Sequence, residues 1–72
     1  MNFYVSLLDE NKSIDYKIQN NRQVYFIQIS GTSSVNGIEL SDGDAMEIVD
    51  EKNLNIKAIN NSHFLFIEMN KA

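Results

Sequence analysis

The chain contains no cysteine, no proline and no tryptophan, and it has a single histidine, His63. The lack of cysteine excludes disulfide bonds, thiolate nucleophiles and zinc sites built on sulfur ligands. One histidine excludes any metal centre or catalytic site that needs two histidines from the same chain. These absences remove most common ways of building a metal centre, and we expect no metal, no other cofactor and no catalytic residue in this chain.

Long apolar segments and an excess of positive charge are also missing. The longest apolar runs span four residues, at 24–27 and 64–67, whereas a membrane-spanning helix needs about 20. The first residues carry no basic segment ahead of an apolar stretch, so we predict no secretion signal, no membrane partner and a cytoplasmic location. Six basic and ten acidic residues give a net charge of −4, which argues against nucleic acid as a partner, because phosphates require a positive surface.

The length of 72 residues allows one small domain, which we predict to span residues 1–72. A domain of this size buries only about 60% of the surface that its unfolded chain exposes. Small domains normally gain the missing stability from a disulfide, a metal or a partner. Since the first two are not expected here, the sequence favours a partner surface.

Alternation of apolar and polar residues indicates β-strands along most of the chain. Residues 14–18 and 54–58 alternate in this way, and the nine isoleucines and four valines are residue types that strands favour. We predict strands at 3–8, 14–18, 23–30, 33–40 with an internal turn, 45–49, 54–59 and 62–69. Short strands at this spacing predict an all-β, antiparallel sandwich or barrel.

Glycine, asparagine and aspartate mark the predicted turns. Asn36 and Gly37 lie between two short strand segments, and this pair is the strongest hairpin signal, because a type I′ turn needs two positive φ angles. The acidic residues around Gly43 suggest a calcium loop, but the spacing of that motif is absent, so we predict an ordinary turn. The predicted structural turn residues are Gly31, Asn36, Gly37, Gly43 and Asp44.

Two segments, 24–27 and 64–67, are apolar on both faces. A strand with one face in water alternates, so these segments are either central strands covered on both sides or part of an interface. A small fold has a limited interior, and the surplus of apolar surface therefore suggests a partner. The candidate interface residues are Val24, Tyr25, Phe26, Ile27, Phe64 and Phe66.

The segment 22–31, followed by Asn36-Gly37, Gly43-Asp44 and the segment 64–68, resembles a cupin. More specifically, it is similar to the C-terminal cupin domain of pirin-like bicupins, a family labelled as quercetin 2,3-dioxygenases. The resemblance covers residues 3–69. It implies a small antiparallel cupin-like (jelly-roll) half-barrel or sandwich.

In that family the N-terminal cupin carries the metal on histidines and a glutamate, and the C-terminal cupin resembled here is typically empty. When the cupin motifs are aligned on Gly31 and Gly43, none of the ligand positions holds a ligand of the expected type. The residues at these positions are Val24 for the glutamate, Lys17 and Gln19 or Ile18 and Asn20 for the paired histidines, and Met46 for the last histidine. The resemblance therefore implies a cupin that has lost its metal.

Other candidate sites have simpler interpretations. His63 would need a partner and a pocket to act as a general base, and the sequence supplies neither, so we interpret it as a surface or interface residue. Four acidic residues could pair as in glycosidases but fit a solvated face better: Glu39, Glu47, Asp50 and Glu51. Six aromatic residues could line a ligand pocket or pack in the core or an interface: Tyr4, Tyr16, Tyr25, Phe26, Phe64 and Phe66.

Three functions follow as hypotheses. The first is a non-catalytic structural or interaction module that forms a homodimer or packs on a separate metal-bearing cupin. The second, implied by the resemblance, is one part of a metal-dependent, quercetinase-like dioxygenase. The third is a module that binds a small aromatic ligand. The missing ligands and the two-sided apolar segments favour the first.

Overall fold

The structure, a computed structural model, describes residues 1–70. In this range the chain forms eight β-strands and no helix that could cross a bilayer. The strands are β1 (Asn2–Leu8), β2 (Ser13–Lys17), β3 (Arg22–Ser30), β4 (Ser33–Val35), β5 (Ile38–Leu40), β6 (Ala45–Ile48), β7 (Asn53–Ala58) and β8 (Ser62–Asn70). The prediction of an all-β fold is confirmed.

The strands form two four-stranded antiparallel sheets. Sheet A has the order β1-β8-β3-β6, and sheet B has the order β2-β7-β4-β5. Strand β8 lies inside sheet A and pairs with β1 on one side and with β3 on the other. Each sheet combines strands that are distant in sequence, so the turns must direct the chain repeatedly from one sheet to the other.

The core lies between the sheets and is made by the inward side chains of alternating strands. In sheet A, the register places Tyr4, Phe66, Phe26 and Met46 in one inward row. Sheet B contributes the buried side chains of β7, in which every second residue is inaccessible. The fully buried apolar residues are Val24, Phe26, Val35, Leu54, Ile56, Ala58 and Phe64. Burial of these side chains is the main source of stability.

The predicted hairpin at residues 33–40 is present and divides that segment into β4 and β5. Asn36 and Gly37 both have positive φ, 49° and 84°, as a type I′ turn requires. The Asn36 side chain also ties the turn to β7, because its Oδ1 accepts a hydrogen bond from the Asn55 amide at 2.7 Å. Its Nδ2 donates to the Asn53 carbonyl at 3.0 Å. The turn residue thus positions sheet B as well as the hairpin.

The turn at Gly43 and Asp44 links β5 to β6. The Asp44 Oδ2 accepts a hydrogen bond from the Ser41 amide at 2.9 Å, and the Asp44 amide donates to the Ser41 carbonyl at 2.9 Å. Gly43 has positive φ and donates its amide to the Gln28 carbonyl at 2.7 Å. The aspartate therefore organises backbone amides of its own turn.

Gly31 is the most constrained glycine, and we expect its replacement by alanine to be costly. Its φ is +80°, and a Cβ at this position would overlap the backbone carbonyl oxygen of Asn61. Left-handed backbone costs an L residue about 1–2 kcal/mol, and the overlap adds to that cost. We expect Gly31→Ala to lower the free energy of unfolding by about 2 kcal/mol.

Gly43→Ala is the matched control, because Gly43 has φ +83° but no atom within 4 Å of a built Cβ. Its cost should be the backbone term alone, about 1 kcal/mol. Urea titration followed by circular dichroism measures both values. Equal losses for the two variants would show that the approach of Asn61 to Gly31 has no energetic consequence.

Candidate functional site

The outward side chains of sheet A form an apolar surface across three adjacent strands. Side chains in β1, β8 and β3 alternate, so that one set enters the core and the other points away from it. The registers align the second set in rows, one of Phe3, Ile67, Tyr25 and Glu47 and one of Val5, Leu65, Ile27 and Ala45. We call these two rows, together with the pair Leu7 and His63, the outer face of sheet A.

Several of these side chains are strongly exposed. Phe3, Val5 and Leu7 are 66%, 68% and 80% exposed, and Tyr25 is 39% exposed. Single apolar residues on a protein surface are ordinary, but a contiguous apolar patch marks an interaction site. Glu47 is the one carboxylate in this face, and it lies on β6 at the far edge from β1.

The outer face of sheet B provides an internal comparison, since it belongs to the same sandwich. Its outward positions are polar in every register row: Ser13, Lys57, Ser34 and Glu39 in one, Asp15 and Asn55 in the next, and Lys17 and Asn53 in the third. This sheet follows the usual rule for an antiparallel sheet with one face in water. Sheet A does not follow it, and the difference identifies the outer face of sheet A as the candidate functional site.

The structure separates the six candidate interface residues into two groups. Val24, Phe26 and Phe64 have no exposed surface, and Phe66 is 4% exposed, so all four belong to the core. They have no surface to bury against a partner, because they occupy the inward rows of β3 and β8. Tyr25 and the half-buried Ile27 occupy the outward rows. The prediction of an interface therefore remains for these two residues alone.

The sequence prediction missed the most exposed part of the outer face. Phe3, Val5 and Leu7 fall in a predicted strand but not among the predicted interface residues. Their spacing of two does place them on one face of β1. The sequence could not show which face of β1 points inward, because the alternate residues include Tyr4, which is also apolar in part.

The positions that correspond to the cupin metal ligands do not provide a metal site. Val24 is buried in the core, and Met46 packs against it. Within residues 1–70 no group of three histidine, aspartate or glutamate residues could hold a metal ion. The side chains of Val24 and Met46 therefore do not fit a cupin metal centre built on histidines and a glutamate.

The remaining polar candidates are spread over the surface. His63 lies half-buried on β8, opposite Leu7. The four acidic residues Glu39, Glu47, Asp50 and Glu51 are exposed and belong to β5, to β6 and to the turn after β6. Only Asp50 and Glu51 share an element, as consecutive exposed residues of that turn, while Glu39 and Glu47 lie on separate strands.

One buried carboxylate, Glu68, lies at the centre of a hydrogen-bonded cluster at one end of the sandwich. Its Oε1 is 2.6 Å from Arg22 Nη2 and 3.2 Å from Arg22 Nε, and it also accepts a hydrogen bond from Asn2 Nδ2 at 3.1 Å. Its Oε2 accepts a hydrogen bond from the Tyr16 hydroxyl at 3.0 Å. Because Tyr16 belongs to β2, this contact joins the two sheets.

The pKa of Glu68 reflects two opposed effects. Burial alone would raise the pKa, but hydrogen bonds from Arg22, Tyr16 and Asn2 favour the charged form. The net result is a pKa below the ordinary value of 4.5, so Glu68 is ionised near neutral pH. The pKa of Tyr16 is raised by its hydrogen bond with Tyr4, by burial and by the neighbouring Glu68, so its hydroxyl stays protonated.

The aromatic residues pack on one another. Tyr4 stacks on Phe66 with ring centroids 4.8 Å apart, and Phe26 lies 5.0 Å from Phe64. Four surface clefts within residues 1–70 are lined largely by polar residues, and none of the four has a phenylalanine or tyrosine in its wall. The aromatic set thus forms core packing and part of the outer face of sheet A.

A small polar group is buried at the opposite end of the core. Ser33 Oγ donates a hydrogen bond to Ser62 Oγ at 2.9 Å, and Ser62 Oγ lies 3.0 Å from the carbonyl oxygens of Thr32 and Asn60. Gln28 has no exposed surface, and its Nε2 donates to the Ser30 carbonyl at 3.0 Å. Its Oε1 has no hydrogen-bond partner within residues 1–70.

The sequence and the fold of this chain are similar to those of known proteins. A "Putative quercetin 2,3-dioxygenase PA1210" from Pseudomonas aeruginosa is 29% identical to the chain over 62 residues, which are 86% of this chain and 27% of that protein. Bacterial pirin YhhW from Escherichia coli has been solved in complex with nickel(II) and in a second crystal structure. Both match 97% of this chain with TM-score 0.95 and 24% identity, and the match covers 31% and 30% of the YhhW chains.

The structural match supports a conclusion about the fold, and the match to a family model supports a conclusion about the family. The likeness to YhhW, at 24% identity, demonstrates the fold. The chain spans about a third or less of the length of each relative, so it corresponds to one segment of those proteins. The family model described as "Quercetinase C-terminal cupin domain" matches residues 1–69. The chain therefore belongs to the family of quercetinase C-terminal cupin domains, the pirin-like C-terminal cupins.

Proposed function

We propose that this chain is a non-catalytic cupin domain that packs the outer face of sheet A against a second, metal-bearing cupin domain. The observation that carries the proposal is the contrast between the two outer faces of one sandwich. The outer face of sheet B is polar in every row, whereas that of sheet A presents Phe3, Val5 and Tyr25 to water. An apolar face that remains in water is unfavourable, so covering it provides a driving force for association.

The ligand positions of this chain and the lengths of its relatives both favour a metal-bearing cupin domain as the partner. Val24 and Met46 are apolar where a cupin metal would need a glutamate and a histidine. Metal chemistry in an assembly that contains this chain would then belong to another domain. The relatives are about three to four times longer than the matched segment, which leaves room in each of them for such a domain.

A second candidate function is a part in a quercetinase-like dioxygenase. The name of the Pseudomonas aeruginosa relative favours it. In that case the role of the chain would still be to pack against the domain that holds the metal. Within residues 1–70 no three histidine, aspartate or glutamate side chains lie close enough together to hold a metal ion. The two candidates differ in the activity of the assembly and agree on the surface that this chain uses.

The test is a capture experiment with two matched variants. An affinity-tagged copy is expressed in the source organism, crosslinked in the cell and isolated, and the bound proteins are identified by mass spectrometry. We expect a cupin with intact histidine and glutamate ligands. Tyr25→Lys should abolish its recovery, because it places a charge in the middle of the outer face of sheet A.

Asn55→Lys is the control, because it adds the same charge to the outer face of sheet B. Its recovery of the cupin should equal that of the unaltered chain. Equal recovery with both variants, or a captured set without any cupin, would contradict the proposal. Stoichiometric iron, nickel, copper, manganese or zinc in the purified chain alone would contradict its non-catalytic part.

A further inference from the structure

The two sheets have four edge strands, and one of them differs from the other three. β1 and β6 are the edges of sheet A, and β2 and β5 are the edges of sheet B. β2, β5 and β6 have five, three and four residues, and each contains at least one charged side chain. β1 has seven residues, Asn2–Leu8, and none of them is charged.

Short length and charge are the usual means by which a sheet edge avoids pairing with another chain. β1 has neither protection. It pairs with β8 on one side, and within residues 1–70 no backbone group of β1 has a hydrogen-bond partner on its other side. An extended, uncharged strand with a free row of amide and carbonyl groups is a template for one more strand.

We propose that two copies of this chain pair through β1, antiparallel, about a two-fold axis at Val5. Full overlap of seven residues requires the axis at the middle residue, since β1 begins at Asn2 and ends at Leu8. Phe3 of one copy then lies opposite Leu7 of the other, and the two Val5 residues lie opposite each other. The two copies of sheet A become one sheet of eight strands.

A second copy suits this edge because of charge and shape. Each chain carries −4, so two copies repel each other, and the repulsion is weakest where the contacting strands carry no charge, as in β1. The two-fold register places Phe3, Val5 and Leu7 against residues of the same set, and directly opposed side chains in an antiparallel pair are in contact. The strand is therefore self-complementary, as a two-fold interface requires.

The pairing does not require the proposed function, because it needs only the free edge of β1 and the contacts that Phe3, Val5 and Leu7 make across that edge, although these three side chains also belong to the outer face of sheet A. A two-fold axis perpendicular to the sheet keeps the outer faces of both copies on the same side. The pairing therefore leaves the surface around Tyr25 uncovered and joins the two outer faces into one larger surface. Failure of the pairing would leave the packing against a second cupin untouched, and the reverse also holds.

The first experiment uses the absence of cysteine from the chain. Val5→Cys introduces the one thiol, and antiparallel partners have Cα atoms about 4.5–5.5 Å apart, which is within the range for a disulfide. We expect mild oxidation to convert Val5→Cys into a covalent dimer at least about tenfold faster than the control Leu7→Cys. In the proposed register two position-7 side chains are four residues out of alignment, or about 13 Å along the strand.

Leu7→Cys is a strict control, because Leu7 is on the same strand and face and is more exposed than Val5, 80% against 68%. Equal rates for the two variants would overturn the register and indicate random collision. Tyr25→Cys forms the third arm. A rate for Tyr25→Cys that equals that of Val5→Cys would overturn the edge pairing in favour of dimers packed face to face.

Sedimentation equilibrium tests the same pairing without oxidation. Pairing of a single strand buries an area at the small end of protein interfaces, so we expect association at roughly 10 μM to 1 mM. Val5→Lys should abolish it, because two ammonium groups would lie directly opposite, whereas Tyr25→Lys should retain it. A mass of one chain, 8.2 kDa, for the unaltered protein across this range would overturn the proposal.

Discussion

Replacing Phe64 with alanine is expected to lower the free energy of unfolding by about 4 kcal/mol. Phe64 has no exposed surface, and its ring centroid lies 5.0 Å from that of Phe26. Removing the ring loses its burial and its contact with Phe26, and the two rigid sheets cannot close the space that remains. A protein of 72 residues has a total stability of about 4–11 kcal/mol, so this variant should keep about 0–7 kcal/mol and is largely unfolded if the unaltered chain lies at the lower end of that range.

Urea titration at 25 °C measures the free energy of unfolding of Phe64→Ala, with Leu65→Ala and Phe64→Leu as controls. Leu65→Ala changes the next residue on β8, which points outward and is half-buried, and it should cost about 1 kcal/mol at most. Phe64→Leu retains part of the packing and should cost about 1 kcal/mol, so it stays folded even where the alanine variant does not. A loss for Leu65→Ala as large as that for Phe64→Ala would show that the interior does not control stability.

Glu68→Gln is expected to lower the free energy of unfolding by about 3 kcal/mol near neutral pH. The substitution keeps the size of the side chain but removes the charge that faces Arg22 at 2.6 Å, in a region where Glu68 is 5% and Arg22 19% exposed. The guanidinium is then left without its counter-charge. The amide that replaces Oε2 also has to be accommodated beside the Tyr16 hydroxyl.

We also expect Glu68→Gln to change how the free energy of unfolding depends on pH. Because the pKa of Glu68 is lower in the folded protein than its ordinary value of 4.5, ionised Glu68 contributes stability that is fully present above about pH 4.5. This contribution is lost as the pH falls through the folded pKa. We expect the unaltered chain to lose more stability than Glu68→Gln between about pH 6 and pH 3.

Glu39→Gln is the matched control, since Glu39 is exposed on the outer face of sheet B. It should leave both the stability near neutral pH and its slope against pH close to those of the unaltered chain. Urea titrations at a series of pH values measure all three proteins. Identical acid sensitivity of the unaltered chain and Glu68→Gln would show that the cluster does not contribute through its charge.

The fold could be predicted from the sequence because its signals are local. The alternation at residues 54–58 requires only that one face of β7 enters the core, and the Asn36-Gly37 pair specifies a turn through the backbone alone. The division of residues 33–40 into β4 and β5 followed from that turn. The residue types also show directly that Val24 and Met46 have neither a carboxylate nor an imidazole to bind a metal.

The candidate site could be predicted only in part, because it depends on which strands become neighbours. The segments 24–27 and 64–67 were recognised as apolar on both faces, but their two faces have different roles, with Phe26 inside and Tyr25 outside. The position of Phe3 beside Ile67 results from the pairing of β1 with β8, which joins residues more than sixty positions apart. The Glu68 cluster has the same origin, because Arg22 and Tyr16 reach it from two other strands.

The pairing of β1 with β8 has a kinetic consequence. Asn2 lies opposite Glu68, and β3 also pairs with β8, so sheet A cannot be completed until β8 has been synthesised and is free to pair. Contacts between residues so distant in sequence close long loops, and the lost chain entropy slows folding. For all-β proteins the folding time is then on the order of milliseconds to seconds. During that interval the uncharged β1 is exposed, and it is the segment on which we expect chaperones to act during synthesis.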